Sequence, residues 1–213
     1  MRVAFITFEY PPYICGGAGV YAYNITKELA RLGIEVHVIC PWDGRSKNYK
    51  YDKNYYRYET ADDVVIHRIN FVNRLGLAAT TFWINLRKDF KKIEKRVGKF
   101  DVIHGNVISD FSLSKKITNV PRVITTHHLA QDAIRILKPS LLERISAISR
   151  ETGIVTPHIE KICINRADKI IAVSNYTKRK IIEYYSVPSD KIRVIYNGMP
   201  KLECDNKLSL IHI

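Results

Sequence analysis

Two groups of residues in this chain could do chemistry: a cluster of glycines near the start and a pair of adjacent histidines near the middle. The stretch FEYPPYICGGAGVYAYNI, residues 8–25, sets Gly16, Gly17 and Gly19 between two prolines and an apolar-periodic run that begins near Val20. Glycines just ahead of a helix leave backbone N–H groups unshielded, and the helix adds roughly half an elementary positive charge at that end. A phosphate or a polar sugar suits such a place. Further along, VITTHHL, residues 123–129, ends an apolar run in two threonines followed by His127 and His128. Side chains alternate along a strand, so one imidazole is expected to project into the crevice and the other away from it. A satisfied structural histidine is the competing reading for either.

Two further places follow apolar runs, AVSNYTK at 172–178 and YNGM at 196–199. Ser174 reads as a helix N-cap and Asn197-Gly198 as a turn. Because ligands of open parallel sheets bind past the carboxyl ends of strands, Ser174, Asn197 and Gly198 are also substrate-binding candidates. GAGVYA at 17–22 fits the dinucleotide pattern G-x-G-x-x-[GA], but Glu9 to Gly16 separate it from the strand, and Pro11 and Pro12 stiffen the detour. Dinucleotide binding is therefore disfavoured. No nucleophile elbow, Walker lysine or convincing carboxylate pair is present. Cys15, Cys40, Cys163 and Cys204 are scattered, without a CxxC pair. Reduced, packing thiols are expected, with neither zinc nor a disulfide framework.

These residues need a scaffold, and the rest of the sequence supplies one. Apolar runs at 3–8, 35–40, 64–69, 101–104, 122–126, 169–173 and 191–196 read as strands covered on both faces. Helical spacing joins Val20, Ile25, Leu29 and Leu32 before Gly33, and Leu86, Phe90, Ile93 and Val97 before Gly98. The fold class is therefore α/β, a Rossmann-like, doubly wound parallel sheet. The segment SKNYKYDKNYYRY at 46–58 reads as a surface loop or ragged hairpin, with a sugar or anionic partner on its rings as the second reading.

With 213 residues the chain can bury one α/β core, and its formal charge of +13 favours contact with something anionic. Arg87, Lys88, Lys91, Lys92, Lys95, Arg96 and Lys99 lie opposite the second helix's apolar stripe. That face is either simply solvated or able to rest on anionic lipid. Nucleic acid is disfavoured as a partner, since no zinc finger, RNP-like or helix-turn-helix signature accompanies the charge. The start of the chain runs straight into a strand pattern, which implies a cytoplasmic protein, able to sit peripherally at the inner membrane face.

Taken in order, EYPP…GGAG, DVIHGN at 101–106, ITTHH at 124–128, ADKIIAVSNYTK at 167–178 and KIRVIYNGM at 191–199 resemble the N-terminal, acceptor-side domain of a family 4 glycosyltransferase. The resemblance runs from residue 1 to about 200, leaving 201–213 as a short tail. It implies one half of a GT-B architecture that transfers a sugar, with retention, from a nucleotide-sugar donor to a glycan or lipid-linked acceptor. It implies no metal and no cofactor beyond that sugar-nucleotide substrate, and no protein nucleophile. Gly16 and Gly17 match the glycine loop near the donor's phosphates. His127 matches the histidine near the transferred sugar, and Gly19 and His128 occupy neighbouring positions in the cleft. Asn106 stands where a second histidine is frequent, and NGMP lacks the aspartate that commonly follows Asn-Gly. A C-terminal donor-binding domain, with its basic pair and E-x7-E stretch, is not encoded in these residues. The chain is then expected to be a half-enzyme that needs such a domain as a partner. The alternative is a non-catalytic module that docks a partner protein or an anionic membrane surface.

Overall fold

The computed structural model describes residues 1–42, 50–51, 57–72, 77–138, 140 and 155–198. Its elements run β1 (Arg2–Ile6), α1 (Gly17–Arg31), β2 (Glu35–Pro41), β3 (Lys50–Tyr51), β4 (Arg57–Ala61), β5 (Val64–Ile69) and α2 (Ala78–Val97). There follow β6 (Val102–Asn106), β7 (Arg122–Thr126), α3 (Ala130–Leu137), α4 (Thr156–Arg166), β8 (Lys169–Ala172), α5 (Asn175–Tyr185) and β9 (Ile192–Val194). One sheet holds all nine described strands in the order β3-β4-β5-β2-β1-β6-β7-β8-β9. The seven from β5 to β9 are parallel, while β4 and β3 extend one edge antiparallel.

From β1 the chain winds outward to β2 and β5, then crosses back to β6 on the other side of β1. That reversal opens a crevice beyond the carboxyl ends of β1 and β6, where open α/β sheets take ligands. The strands are apolar runs because both faces are covered. Ala4, Ile6, Ile103 and Ile124 point toward α2, α4 and α5, whereas Phe5, Val36 and Val38 point toward α1. On α2, Phe82, Leu86, Phe90 and Ile93 recur at helical spacing and are wholly buried. Each such side chain contributes about 1.5–3 kcal/mol of hydrophobic stabilisation. Gly98, at φ 94°, ends α2 in a conformation other residues avoid, with the Arg2 guanidinium packed where a Cβ would stand.

The expected strands at 64–69 and 122–126 match to the residue, and the others shift by one or two positions at one or both ends. The second helix starts eight residues earlier than Leu86, because Ala79, Phe82 and Trp83 continue its buried stripe upstream. All seven basic residues on its outer side are exposed. Within 46–58, the pairing of β3 with β4 gives the hairpin reading, while 43–49 and 52–56 lie outside the described residues. The tail at 201–213 lies outside them as well, together with Cys204. Cys15 is exposed, whereas Cys40, which accepts from Arg68 at 3.2 Å, and Cys163 are buried. No described helix is long and apolar enough to cross a membrane.

Candidate functional site

The site is built where β1, β6 and β7 end. Past Ile6 the chain leaves the sheet: Thr7 donates its hydroxyl proton to the Glu9 carbonyl at 3.0 Å, and the Glu9 amide returns to the Thr7 oxygen at 3.3 Å. Tyr10 then plunges inward, its hydroxyl 2.8 Å from that of Thr26 on α1, and the buried Arg68 guanidinium donates to the Pro11 carbonyl. The loop is thus nailed to the core before it reaches the glycines.

Gly16 is the N-cap of α1, in extended backbone with no side-chain cap. The helix begins at Gly17 and not near Val20, so Gly17 and Gly19 lie inside its first turn. Glu9 folds back over this turn. Its carboxylate accepts hydrogen bonds from the Cys15 and Gly16 amides, both at 3.0 Å. The chain's own anion therefore holds two of the amides that the glycine pattern offers to a ligand. At Gly16 and Gly17 a Cβ would meet only open space. Gly19 is different, and its expected place on the cleft wall is corrected: it is buried, and a Cβ there would lie 2.7 Å from the Glu9 carboxylate and 3.0 Å from Ile14. Its small size lets the loop pack against α1.

A network of side chains joins this loop to β6 and β7. The Asn106 amide nitrogen donates to the Thr7 hydroxyl at 3.1 Å and to the Ala18 carbonyl at 3.0 Å, and the Asn106 oxygen lies 2.9 Å from His127 Nε2. Tyr21 of α1 meets the His127 ring edge-on at 4.7 Å and reaches Thr125 at 3.1 Å. Thr125 in turn lies 2.8 Å from the buried His104. Burial first, and then the neighbouring His128, lowers the His127 pKa to about 4, so the imidazole is neutral at physiological pH.

Alternation along β7 separates the two histidines as expected. His127 continues the Thr125 face toward α1, half-buried, and is not among the residues lining the cleft, which it meets only through Asn106; His128, the lesser candidate in the sequence, is exposed and lines a cleft of about 640 Å³. Thr7, Glu9, Ala18, Asn106 and Glu160 share its wall. Ser174 and Asn197-Gly198 are not brought there. The Ser174 hydroxyl oxygen accepts from the Thr177 amide at 3.0 Å, the N-cap role its sequence context predicts. Asn197 and Gly198 are exposed past β9, and the turn read at 196–199 extends to Met199, outside the described residues. β9 is four strands from β1, roughly 19 Å at ordinary strand spacing.

Sequence reasoning missed Glu9, Glu160 and the positive role of Asn106. Glu160 sits on α4, only 3% exposed, and accepts from the Ala130 amide at 3.1 Å and from the Tyr185 hydroxyl. Burial raises its pKa to about 7 from 4.5, against the opposing pull of those bonds. An acid with a raised folded-state pKa stabilises the fold below its unfolded pKa and loses that contribution as pH rises through the folded one. The window here is pH 4.5 to about 7. Relative to the parent chain, Glu160→Gln should gain about 3 kcal/mol across this window, because the amide stays neutral and still accepts both bonds. Urea melts of both chains at pH 4.5 and pH 8 check it, and a constant difference between them would contradict the assignment.

Comparison with known proteins bears on the whole arrangement. An uncharacterised glycosyltransferase of Methanocaldococcus jannaschii is 23% identical over 214 residues, covering 98% of this chain and 49% of the relative. An alpha-maltose-1-phosphate synthase of Mycolicibacterium smegmatis is 26% identical over 205 residues, 93% of this chain and 45% of that one. The chain spans about half the length of these relatives. Sucrose-phosphate synthase from Thermosynechococcus elongatus superposes with a TM-score of 0.66 at 16% identity, covering 93% of this chain and 48% of that one. The catalytic domain of starch synthase IV from Arabidopsis thaliana, bound to ADP and acarbose, gives 0.59 at 16% identity, covering 93% and 52%. These neighbours share the fold, a Rossmann-like half of a GT-B architecture. The family model "Glycosyltransferase Family 4" matches residues 15–200, and the chain belongs to that family.

Proposed function

We propose that this chain is the acceptor-side domain of a retaining glycosyltransferase, moving a sugar from a nucleotide-sugar donor to a glycan or lipid-linked acceptor once a donor-binding domain faces its cleft. The observation that carries the reading is the convergence of Ala18 in the glycine turn, Asn106 and His128 on one cleft at the reversal of strand order, with His127 bonded to Asn106 beside it.

Leaving-group departure builds negative charge on the donor's diphosphate, and fixed donors stabilise that charge more in the transition state than in the ground state. The first-turn amides of Gly17 and Ala18 have no carbonyl one turn behind them and sit at the positive end of α1. Glu9 keeps this turn in place through the Cys15 and Gly16 amides. His128 stands on the wall of the same opening and His127 is held next to it by Asn106, and the two serve hydroxyl groups of the sugars. Acceptor and leaving group share one face of an oxocarbenium-like transition state, so no side chain needs to become covalently attached. The exposed basic side of α2 suits an anionic membrane surface carrying a lipid-linked acceptor.

The test is to incubate the purified chain with a panel of sugar nucleotides and acceptors, the lipid acceptors being offered in anionic and in neutral vesicles. Little or no turnover is expected from the chain alone. Turnover is expected after fusion to a donor-binding domain from another family 4 enzyme, with the anomeric configuration of the donor kept in the product. Robust transfer by the chain alone would overturn the half-enzyme reading. An inverted product would overturn retention, and equal transfer from both vesicle types would remove the membrane role.

A further inference from the structure

We propose that Asn106 is a positioning residue that holds His127 in the Nε2–H tautomer, so that Nδ1 is left as a hydrogen-bond acceptor for a ligand that reaches past the Asn106 wall of the cleft. This rests on reading the cleft as the sugar site.

The positions of the protons follow from two backbone carbonyls, because a carbonyl oxygen can only accept. The Ala18 carbonyl lies 3.0 Å from one end of the Asn106 amide, so that end is the nitrogen. The Thr7 hydroxyl lies 3.0 Å from the Glu9 carbonyl and gives its single proton there. It can therefore only receive from Asn106, at 3.1 Å. Both amide protons are then engaged, and the Asn106 oxygen is the atom that faces His127 Nε2 at 2.9 Å. An amide oxygen cannot donate, so Nε2 carries the hydrogen. In a neutral ring Nδ1 is left with a lone pair. Among the described residues Nδ1 makes no hydrogen bond, and it is not sealed from solvent.

The arrangement selects chemistry. A lone pair at Nδ1 receives a hydroxyl proton and repels a carboxylate or phosphate oxygen, so His127 is matched to a neutral hydroxyl of the sugar and not to the donor's diphosphate. Asn106 also ties the ring to the first turn of α1 through Ala18. The imidazole and the glycine turn therefore hold a fixed spacing. A histidine at position 106 has two ring nitrogens and could not make all three of these contacts.

The experiment is a long-range 1H–15N spectrum of the ¹⁵N-labelled chain, with the His127 signals assigned by their loss in His127→Gln. At neutral pH a single Nε2–H tautomer is expected, remaining neutral until about pH 4. Asn106→Asp puts a carboxylate against the ring and should raise the His127 midpoint by roughly 1–3 pH units. Asn106→Leu removes the oxygen and should yield a mixture of tautomers. An Nδ1–H or mixed tautomer in the parent chain overturns the proposal, as does an unmixed Nε2–H form in a folded Asn106→Leu chain. If the leucine variant does not fold, the parent spectrum and the aspartate titration still decide. None of these signals depends on turnover, so this proposal and the transferase reading can fail separately.

Discussion

An Arg122→Ala chain is expected to lose about 3–5 kcal/mol of folding stability, the usual cost of removing one partner from a buried ion pair. Arg122 Nη1 lies 3.0 Å from Asp110 Oδ2, and both side chains are only 6% exposed. Burial raises the Asp110 pKa and the Arg122 charge opposes the rise, so removing the arginine leaves a carboxylate that is neither hydrated nor paired. There is no room for Asp110 to escape toward β6, since its Oδ1 already lies 2.7 Å from where a Cβ on Gly105 would be. The pair itself is imperfect, with Asp110 Oδ1 and Arg122 Nη2 buried and without partners. Replacing both residues together, as Asp110→Leu with Arg122→Met, should therefore cost less than the single change. Urea melts of the three chains check this. The loss in Arg122→Ala should also shrink on acidification, as Asp110 takes up a proton. A loss under 1 kcal/mol, or one that grew on acidification, would show that the pair holds nothing.

The consequence reaches the cleft. Asp110 lies in the segment after β6, just past Asn106, where the Ser109 hydroxyl donates to the Ile6 carbonyl at 2.6 Å and Trp83 donates to the Ser109 carbonyl at 3.1 Å. The ion pair, the tryptophan and the end of β1 thus hold one short segment from three sides. Val107 and Ile108 of that segment line the cleft. A site that must keep amides and an imidazole at fixed spacing gains from such rigid backing.

What was legible in the sequence divides along the range of the interactions. β5 and β7 are apolar runs whose burial on both faces writes itself into composition, and both are read to the residue. Ser174 is legible because a cap is a contact over three residues. The start of α2 is not, since Thr80 and Thr81 interrupt the apolar stripe with β-branched polar residues although the stripe continues at Ala79. Glu9 and Asn106 are harder still. Their partners include backbone groups at Cys15, Gly16 and Ala18, which carry no sequence pattern. Glu160 sits on the buried side of α4 beside Ile159 and Cys163, where a charge in the sequence looks like a break in the apolar stripe.

His127→Ala is expected to lower kcat/KM of the chain fused to a donor-binding domain by roughly 10²–10³-fold, the scale seen when one preorganised polar group is removed from an active site. Two contacts fix the direction of the ring, the hydrogen bond to the Asn106 oxygen and the perpendicular packing against Tyr21. It lies half-exposed past the last residue of β7, so truncation opens space toward solvent and leaves no sealed cavity. The fold should therefore survive with a loss of about 1–3 kcal/mol, chiefly from the Asn106 oxygen left without its donor. The distribution of the kinetic loss is informative. If the imidazole contacts the sugar equally in ground and transition states, KM rises and kcat holds; if it engages the sugar as the oxocarbenium develops, kcat and kcat/KM fall together. The second pattern is expected, because a neutral lone pair polarises a hydroxyl oxygen toward the developing positive centre. Since the His127 pKa is already near 4, the activity profile above pH 5 should carry no inflection from this group, and the alanine variant should follow the parent profile at a lower level. Normal turnover in the alanine variant would reduce His127 to a packing residue.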